Sequence, residues 1–453
     1  MNKIGTMPRT IAEAGKLLKQ KEISPSELVT GFLEQIETTE PNVKAWVRVQ
    51  KEEALQHAKH LEQTLNNQEE LPPLFAIPYG AKDIIYTKGL ETEGGSKSTE
   101  GFKPVKDATV VRTLHQAGAV LLGKTTTTEF ANWGNPPETR NPWNLNHTPG
   151  GSSSGSAAAV ASNMALFSLG TQTAGSLSRP AAYNGLTVLK GTYGRVSKSG
   201  VIPASWSLDH VGAFTKNVED AIIVYNEIAG PDKDDFATWS LPKQKLIIQE
   251  QTRYTIGVIE DAYFEADADS MKAYQETLTL LQELGYTLKT IPMPKSFKAA
   301  NAAQHIVMKT ETSSYHYDNF QKNASLYGSY LQGFIKEGLQ ITANDYLKAQ
   351  RIRTLFKQQL TEVFEEVDLL VTPAAPSAAP EGILQTGSPA FNLPFTNAGV
   401  PTLAIPMGYT QEKGLPLGLQ LIAEPLAEQK LVNVGHLFQK ATDWHTRNPG
   451  FQR

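Results

Sequence analysis

Two segments rich in serine and glycine hold the residues of this sequence that could do nucleophilic chemistry. The first, residues 148–163, reads TPGGSSSGSAAAVASN and contains three glycines, five serines and four alanines. The second, residues 167–185, reads FSLGTQTAGSLSRPAAYNG and has Ser176 near its middle. A serine hydroxyl is a poor nucleophile until a base removes its proton, and the negative charge it creates needs hydrogen-bond donors. Each segment could therefore contain a reactive serine.

The first segment is open to three interpretations. A flexible linker is disfavoured because SAAAVASNMALFSLG follows at once, which predicts a helix and then an apolar strand. A phosphate-binding loop is disfavoured because neither G-x-G-x-x-G nor a glycine-rich loop with a Lys-Ser/Thr pair is present. Gly151-Ser152-Ser153-Ser154-Gly155 matches the G-x-S-x-G nucleophile elbow, with Asp209 and either His436 or His445 as its partners. No strand is predicted to enter that turn, so the elbow is kept as the alternative.

The small residues before Ser176 are suited to stabilising an oxyanion. Thr173, Ala174 and Gly175 directly follow a strand-like run, and their small size lets a substrate carbonyl approach the main chain. Successive backbone N–H groups can then point at one developing negative charge. A plain turn between a strand and a loop has the same composition, and composition alone leaves that interpretation open.

Length and composition indicate a globular protein and exclude several classes of function. The chain has 453 residues, of which 40% are hydrophobic and 19% charged. A net charge of −4 lacks the basic footprint that nucleic-acid binding normally needs. No window approaches roughly eighteen apolar residues, and the N-terminus has no signal-peptide core, so we expect no membrane span and a cytoplasmic location. The absence of cysteine excludes disulfides, thiolate zinc sites and a cysteine nucleophile.

Hydrophobic periodicity and capping signals predict an α/β protein. Thr10 with Glu13 and Ser24 with Glu27 form capping boxes, and Pro25 stands at the first position of the second helix. The predicted helices lie at 25–38, 107–118 and 266–284, in a long region ending near 366, and at 428–442. The predicted strands lie at 45–49, within 73–85, after Gly118, at 253–259 and 286–292, and in the runs LLVTP, TLAIPMG and LGLQLIA. This order is typical of one large domain built on βαβ units.

One long run and its flanking motifs resemble the amidase signature family. The run reads NPWNLNHTPGGSSSGSAAAVA and continues as LFSLGTQTAGSLSRPAAYNGLTVLKGTYGRVSKSG. LFAIPYGAKDI at 74–84, SLDHVGAFTKNVEDA at 207–221 and the C-terminal runs from DLLVTPAAP to GLPLGLQLIAEP extend the match over nearly the whole chain. The resemblance implies a large mixed, mainly parallel sheet sandwiched by helices. It implies a single domain over 1–453 with a helical, substrate-shaping insertion around 232–366. It also implies hydrolysis of amides by a Ser-cisSer-Lys triad, without metal or cofactor.

The resemblance assigns this triad residue by residue. The nucleophile falls on Ser176, before the Leu-Ser-Arg-Pro segment, and the base falls on Lys82 in GAKD. The serine that bridges them, held by an unusual cis peptide, falls on Ser152, and Ser153 is similar to a supporting serine of the family. The oxyanion donors fall on the backbone of four consecutive residues, Thr173, Ala174, Gly175 and Ser176.

A lysine can serve as the base only when it is uncharged. At neutral pH its pKa, ordinarily about 10.4, must fall by roughly 3 units, which corresponds to about 4 kcal/mol. Burial supplies such a shift, and Lys82 lies in the apolar run AIPYGAKDII. An ion pair with Asp83 is the alternative, although adjacent residues of a strand point to opposite faces. We therefore predict that neutral Lys82 takes the proton of Ser152 while Ser152 takes that of Ser176, and that the same relay protonates the leaving nitrogen.

Two positions depart from the family pattern. Many members carry aspartate where this chain has Gln172 and arginine where it has Ser178, and here the arginine stands one place later, as Arg179. The form GTQTAGS with a shifted arginine is similar to a variant within the family. These departures argue against an ion pair between the two positions. They also weaken assignment as the A subunit of the tRNA-dependent amidotransferase, which usually keeps both residues.

The predicted function is therefore that of a stand-alone amidase acting through an acyl-enzyme intermediate and releasing a carboxylate with an amine or ammonia. The alternative is the A subunit of a glutamyl-tRNA(Gln) amidotransferase, which releases ammonia from glutamine. A catalytically silent binding protein is a third interpretation, against which the intact triad positions argue. The expected partner is a small-molecule amide, and aliphatic or aryl amides, urea derivatives, lactams and acylated amines all stay open. A homodimer is expected only because symmetric dimers are the commonest oligomers.

Overall fold

One large β-sheet organises the molecule. The computed structural model describes residues 7–65, 71–250 and 253–450. The eleven strands of the sheet are, in chain order, β1 (Trp46–Val49), β2 (Pro78–Lys82), β3 (Val120–Thr125), β4 (Phe167–Gln172), β5 (Thr187–Lys190), β6 (His210–Thr215), β7 (Thr255–Ile259), β8 (Thr287–Ile291), β9 (Leu369–Pro373), β10 (Thr402–Tyr409) and β11 (Pro416–Ala423). Across the sheet their order is β1-β3-β2-β4-β6-β5-β10-β11-β9-β7-β8.

The described residues also form thirteen α-helices. In chain order they are α1 (Ile11–Lys19), α2 (Pro25–Val43), α3 (Lys51–Leu65), α4 (Thr109–Gln116), α5 (Ser154–Ala161), α6 (Ser178–Asn184), α7 (Val218–Ile228), α8 (Ala268–Glu283), α9 (Phe297–Asn323), α10 (Ser329–Gly338), α11 (Ala343–Glu366), α12 (Leu393–Ala398) and α13 (Glu428–Ala441). None of them, within the ranges that the structure describes, combines the length and the apolar character needed to cross a bilayer.

Capping residues set the starts of the first two helices, as the sequence predicts. Ser24 Oγ accepts a hydrogen bond from Glu27 N at 3.2 Å, and the Glu27 carboxylate accepts one from Ser24 N at 2.9 Å. Thr10 and Glu13 form the same reciprocal pair at the start of α1. Both capping boxes are therefore confirmed, because each satisfies backbone N–H groups that a helix leaves free in its first turn.

The large mixed sheet is confirmed, but the expectation that its strands are mainly parallel is wrong. Four of the ten neighbouring pairs are parallel and six are antiparallel. Parallel neighbours need a long crossover connection, and helices supply these among β2, β3 and β4 and among β7, β8 and β9. The central strands are instead joined antiparallel, and the neighbours β10 and β11 follow each other through a short turn. Helices α6 and α12 also precede β5 and β10, but the neighbours of these two strands are antiparallel.

Alternate residues of the central strands face two separate layers of helices. Val188 of β5 and Ala404 of β10 pack in an apolar cluster with buried residues of α5 and α6. Their chain neighbours Leu189 and Leu403 pack in another cluster with buried residues of α7 and α13. Because successive side chains of a strand point to opposite faces, helices cover the sheet on both sides. The predicted sandwich of a sheet between helices is thus confirmed.

The middle of the chain is helical only in part. Its three long helices are α9, α10 and α11, but residues 255–291 also supply β7, β8 and α8. The strands β7 and β8 extend the same sheet at its far end. The role of the 232–366 region in shaping a substrate pocket stays a prediction.

Two parallel neighbours, β2 and β4, bring the two predicted catalytic segments to one edge of the sheet. Their register pairs Tyr79 with Phe167 and Ala81 with Leu169. Lys82 is the last residue of β2, and β4 ends at Gln172, directly before residues 173–176, which we call the oxyanion loop. Because the carboxyl ends of parallel strands meet at the same edge of a sheet, the lysine and the loop lie side by side.

Candidate active site

Lys82 lies in a buried group of hydroxyls. Its Nζ is 2.6 Å from Ser152 Oγ, 2.9 Å from Thr171 Oγ1 and 3.1 Å from Ser153 Oγ. The lysine side chain has no exposed surface. All three of these hydrogen-bond partners are neutral, so among the described residues no carboxylate pairs directly with the amine. The structure thus brings together three residues that the sequence analysis names, Lys82, Ser152 and Ser153.

Burial lowers the pKa of Lys82 well below its ordinary value. The charge of Asp209 opposes this effect and that of Arg179 adds to it. The neighbouring Asp83 is not the partner of Lys82, because its carboxylate lies 3.9 Å from Lys124 Nζ and accepts backbone hydrogen bonds. An uncharged amine at the end of β2 is a base, and Ser152 is its closest neighbour.

All the hydrogen-bonding capacity of the Ser153 hydroxyl is already used. Its oxygen accepts from Lys82 Nζ at 3.1 Å and from Thr171 N at 3.2 Å, and its proton is donated to Thr171 O at 3.1 Å. A hydroxyl has one proton and two acceptor positions, so none is left over. Residues 148–151 before it adopt no strand. The strand–turn–helix context of a nucleophile elbow is therefore absent from these residues.

Arg179 fixes the chain next to Ser152. The peptide bond between Gly151 and Ser152 is cis, as the family resemblance implies. Arg179 Nη2 donates to Gly151 O, and its Nη1 donates to Gly387 O at 2.6 Å. Burial lowers the pKa of the guanidinium only to about 10, so it stays charged at neutral pH. The shifted arginine thus ties the carbonyl before Ser152 to the segment that contains Gly387.

The carbonyl oxygens of the oxyanion loop are held by two side chains from distant helices. Thr173 O accepts from Gln304 Nε2 of α9 at 2.9 Å, and Ala174 O accepts from Thr396 Oγ1 of α12 at 2.7 Å. In a trans peptide the N–H points opposite to the C=O, so the N–H groups of Ala174 and Gly175 point away from these side chains. Within the described structure neither N–H makes a backbone hydrogen bond. Both are thus available to a substrate oxyanion.

Ser176 is the last residue of this loop and precedes α6. Its side chain is nearly buried, with 8% of the residue exposed. Gln172 Oε1 accepts hydrogen bonds from Leu177 N at 2.8 Å and Ser178 N at 2.9 Å, which holds the turn after Ser176. Among the hydrogen bonds of the described residues, none joins Ser176 to Ser152. Contact between these two serines therefore stays a prediction.

Asp209 and the histidines of the alternative elbow lie apart. The Asp209 carboxylate accepts from Thr173 Oγ1 at 2.5 Å and from the N–H groups of residues 204 and 205 at 3.0 Å. Asp209 lines one cavity, whereas His436 and His445 line another. Asp209 thus supports the oxyanion loop instead of orienting a histidine.

A cavity of about 350 Å³ adjoins the lysine through Thr171. Its apolar and aromatic lining includes Val201, Tyr193, Trp206 and Phe236. Its charged lining residues are Lys198, Asp209, Asp234 and Asp235. A mostly apolar concave site with a few polar groups is typical of small-molecule binding.

Gly175 packs too closely to accept a side chain. An added Cβ would lie 2.7 Å from Asn392 Oδ1 and 2.9 Å from Pro389 Cβ. We expect Gly175→Ala to displace the oxyanion loop and to lower kcat on the order of 100-fold, since small misplacements of catalytic groups have effects of that size. The loss of unfolding free energy should stay near 1–3 kcal/mol, the usual cost of overpacking.

Steady-state kinetics and urea unfolding of Gly175→Ala check this prediction. Gly333→Ala in α10 is the matched control, because an added Cβ there meets nothing within 4 Å. That control should keep full activity and gain up to about 1 kcal/mol from helix propensity. Full activity in Gly175→Ala would contradict a tightly packed oxyanion loop.

Four residues of the site have roles that sequence reasoning missed. Thr171 contacts the lysine, Gln304 and Thr396 hold loop carbonyls, and Asp209 had been considered only as the acid of an elbow. Gln304 and Thr396 are 131 and 222 residues from the carbonyls they hold. The one available signal is a polar side chain at a core position, since Gln304 is fully buried in α9 beside Ala303 and Val307.

Comparison with known sequences finds one family model and several similar proteins. The family model described as Amidase matches residues 27–432. The A subunit of glutamyl-tRNA(Gln) amidotransferase from Rippkaea orientalis is 36% identical, with 97% of this chain and 99% of that protein covered. The protein of the same name from Geobacillus thermodenitrificans is 35% identical, with 97% and 98% covered.

Solved structures share the fold over almost its full length. The native peptide amidase of Stenotrophomonas maltophilia has a TM-score of 0.86 and 28% identity, covering 98% of this chain and 99% of that one. A structure from a vestigial protein complex, described as revealing the evolutionary origins of an s-triazine catabolic enzyme, has a TM-score of 0.89 and 28% identity, covering 95% and 98%. Family model, relatives and structures agree, and the chain belongs to the amidase signature family.

Proposed function

We propose that this chain is a stand-alone amidase in which Ser176 is the nucleophile, Ser152 the proton bridge and Lys82 the base. The observation that carries the proposal is the 2.6 Å contact between the fully buried Lys82 Nζ and Ser152 Oγ. Ser153 cannot direct its proton at the lysine, because that proton is donated to Thr171 O. The lone pair of the neutral amine therefore has Ser152 as its nearest proton donor.

Acylation follows from this arrangement. Ser176 Oγ forms a bond to the amide carbon, its proton moves to Ser152 Oγ, and the proton of Ser152 moves to Lys82 Nζ. The carbonyl oxygen takes the negative charge and accepts hydrogen bonds from the free N–H groups of Ala174 and Gly175. The C–N bond then breaks, and the relay runs in reverse so that the proton on Lys82 reaches the leaving nitrogen through Ser152.

Deacylation repeats the same sequence with water as the nucleophile. Water loses a proton through Ser152 to Lys82 while its oxygen bonds to the ester carbon. The bond to Ser176 Oγ breaks, that oxygen recovers a proton from the relay, and a carboxylic acid leaves. The cycle consumes one amide and one water and returns the lysine to its neutral form.

The A subunit of an amidotransferase is the second candidate, because relatives of that name are 36% identical over 97% of this chain. Such a protein would use the same triad on glutamine, so the triad does not separate the two functions. Gln172 and Ser178 favour the stand-alone amidase, since they stand where the amidotransferase protein usually keeps aspartate and arginine.

Two assays on the isolated chain test the proposal. A fluorophosphonate probe with peptide mapping should label Ser176, and labelling of Ser153 would support the elbow instead. A panel of hexanamide, benzamide, an acylated aniline and glutamine is then scored for release of ammonia or amine. Turnover of the simple amides without partner subunits supports the stand-alone amidase, whereas ammonia release from glutamine alone supports the second candidate.

A further inference from the structure

We infer that Gln172, acting through Thr396, is a positioning residue that orients the Ala174–Gly175 peptide of the oxyanion loop. This inference rests on the proposed function and extends it to residues outside the triad. Gln172 occupies the position at which many family members carry aspartate, and Thr396 lies on α12. Both side chains are fully buried.

The orientation of the Gln172 amide is determined by its neighbours. Its Oε1 lies 2.8 Å from Leu177 N and 2.9 Å from Ser178 N, and a backbone N–H can only donate. The oxygen of the amide must therefore be on that side. Its nitrogen then faces Thr396, with Nε2 lying 2.8 Å from Thr396 Oγ1.

The hydrogen bond from Gln172 Nε2 determines where the hydroxyl proton of Thr396 can point. Because Gln172 Nε2 donates to Thr396 Oγ1, the hydroxyl proton must be given to another acceptor. Two carbonyl oxygens are within reach, Ala174 O at 2.7 Å and Asn392 O at 3.0 Å. The Asn392 contact is the common bond of a helical threonine to the carbonyl four residues earlier, and Ala174 O is the closer acceptor.

The bond to Ala174 O fixes the peptide that follows it. The N–H of Gly175 belongs to the same trans peptide and points opposite to Ala174 O. Thr396 therefore directs this N–H away from α12, and the N–H stays without a backbone partner in the described structure. An N–H that is oriented before substrate arrives contributes most to transition-state stabilisation.

An ionised acid at position 172 could not act in this way. A carboxylate only accepts hydrogen bonds, so the Thr396 hydroxyl would turn its proton to that carboxylate and leave Ala174 O without its donor. The glutamine provides one acceptor for the turn after Ser176 and one donor for Thr396. Its amide thereby contacts residues 177 and 178 after the nucleophile directly, and Ala174 before the nucleophile through Thr396.

The test uses the phosphonylation rate of Ser176, which needs no knowledge of the natural substrate. A fluorophosphonate forms an O–P bond with Ser176, fluoride leaves, and the oxygen on phosphorus takes the place of the oxyanion. We expect Thr396→Val to lower the maximal labelling rate on the order of 10- to 100-fold, with little change in the probe concentration for half-maximal rate. Thr396→Ser, which keeps the hydroxyl, should restore most of the rate.

Thr402→Val is the matched control, because Thr402 Oγ1 is buried and has no hydrogen-bond partner in the described structure. It should label at the wild-type rate. Melting curves establish that the variants fold, and Thr396→Ala replaces Thr396→Val if the valine variant does not. An equal labelling rate in wild type and Thr396→Val, or failure of Thr396→Ser to recover, overturns the inference alone. Absence of labelling at Ser176 in the wild type overturns the proposed function itself.

Discussion

Replacing Ser176 with alanine should lower amide turnover by at least about 10⁴-fold and leave the fold intact. The large effect is expected because no acyl-enzyme can form without the Ser176 hydroxyl. The small effect on stability is expected because no hydrogen bond in the described structure uses that hydroxyl, so its removal leaves no partner unpaired. Urea unfolding should change by less than about 1 kcal/mol, and kcat on the most active amide of the panel gives the catalytic effect.

Two further serine variants make this experiment specific. Ser270→Ala removes from α8 a buried hydroxyl that has no hydrogen-bond partner in the part of the chain that the structure describes, and it should change neither activity nor stability appreciably. Ser153→Ala removes one hydrogen-bond partner from each of three groups, Thr171 N, Thr171 O and Lys82 Nζ. We expect it to destabilise the fold by about 1–3 kcal/mol and to reduce turnover less than Ser176→Ala does. Loss of all turnover in Ser153→Ala alone would instead place the nucleophile in the elbow.

Local signals in the sequence account for most of the helix and strand positions. The helix predicted at 25–38 begins at Pro25 as expected, because Ser24 and Glu27 cap it. The helix continues past Pro41 to Val43. It ends at Lys44, which has a positive φ of 54°. Capping chemistry is local and therefore readable, whereas the end of this helix depends on what the following residues pack against.

The sheet was predicted less well because pairing is not local. From β2 to β4 and from β7 to β8 the sequence alternates strands with helices, which correctly indicates that β2 pairs in parallel with β3 and β4 and that β7 pairs in parallel with β8. Nothing in those runs indicates that β4 pairs antiparallel with β6. The direction of a strand relative to its neighbour depends on which strands come together, and hydrophobic pattern does not specify that.

The residues of the candidate site also form two groups, those that sequence motifs indicate and those that only the packed structure reveals. Lys82, Ser152 and Ser153 lie in motifs of a recognisable family. The structure brings the two serine hydroxyls within 3.1 Å of the Lys82 amine. Of the residues that orient the loop carbonyls, Gln304 lies outside the runs that resemble the family, and Thr396 lies within the C-terminal runs without a role that the resemblance assigns to it. They are buried polar residues that donate to main-chain carbonyls, so their role becomes visible only once the helices are packed.

Replacing Lys82 with methionine should lower kcat on the order of 10² to 10⁴-fold, the usual contribution of a general base. The variant should also differ from the wild type in how its stability depends on pH. Burial lowers the pKa of Lys82 in the folded protein, whereas in the unfolded chain the pKa stays near its ordinary value of about 10.4. Between those two values the unfolded state holds one more proton, so the unfolding free energy of the wild type rises with pH. Lys82→Met lacks this contribution.

The unfolding free energy of Lys82→Met minus that of the wild type should therefore be highest near neutral pH. It should decline as pH rises, because the wild type gains stability that the variant does not. Urea unfolding of both proteins at about pH 7 and about pH 9 measures the difference. Lys216→Met is the matched control, because burial lowers the pKa of Lys216 to about 7 and, among the described residues, its Nζ donates a hydrogen bond only to Ala161 O, at 3.0 Å. It should alter the pH dependence of stability in the same direction without loss of turnover. If Lys82→Met and the wild type show the same pH dependence, Lys82 is charged in the folded protein, and it cannot be the base that activates Ser176.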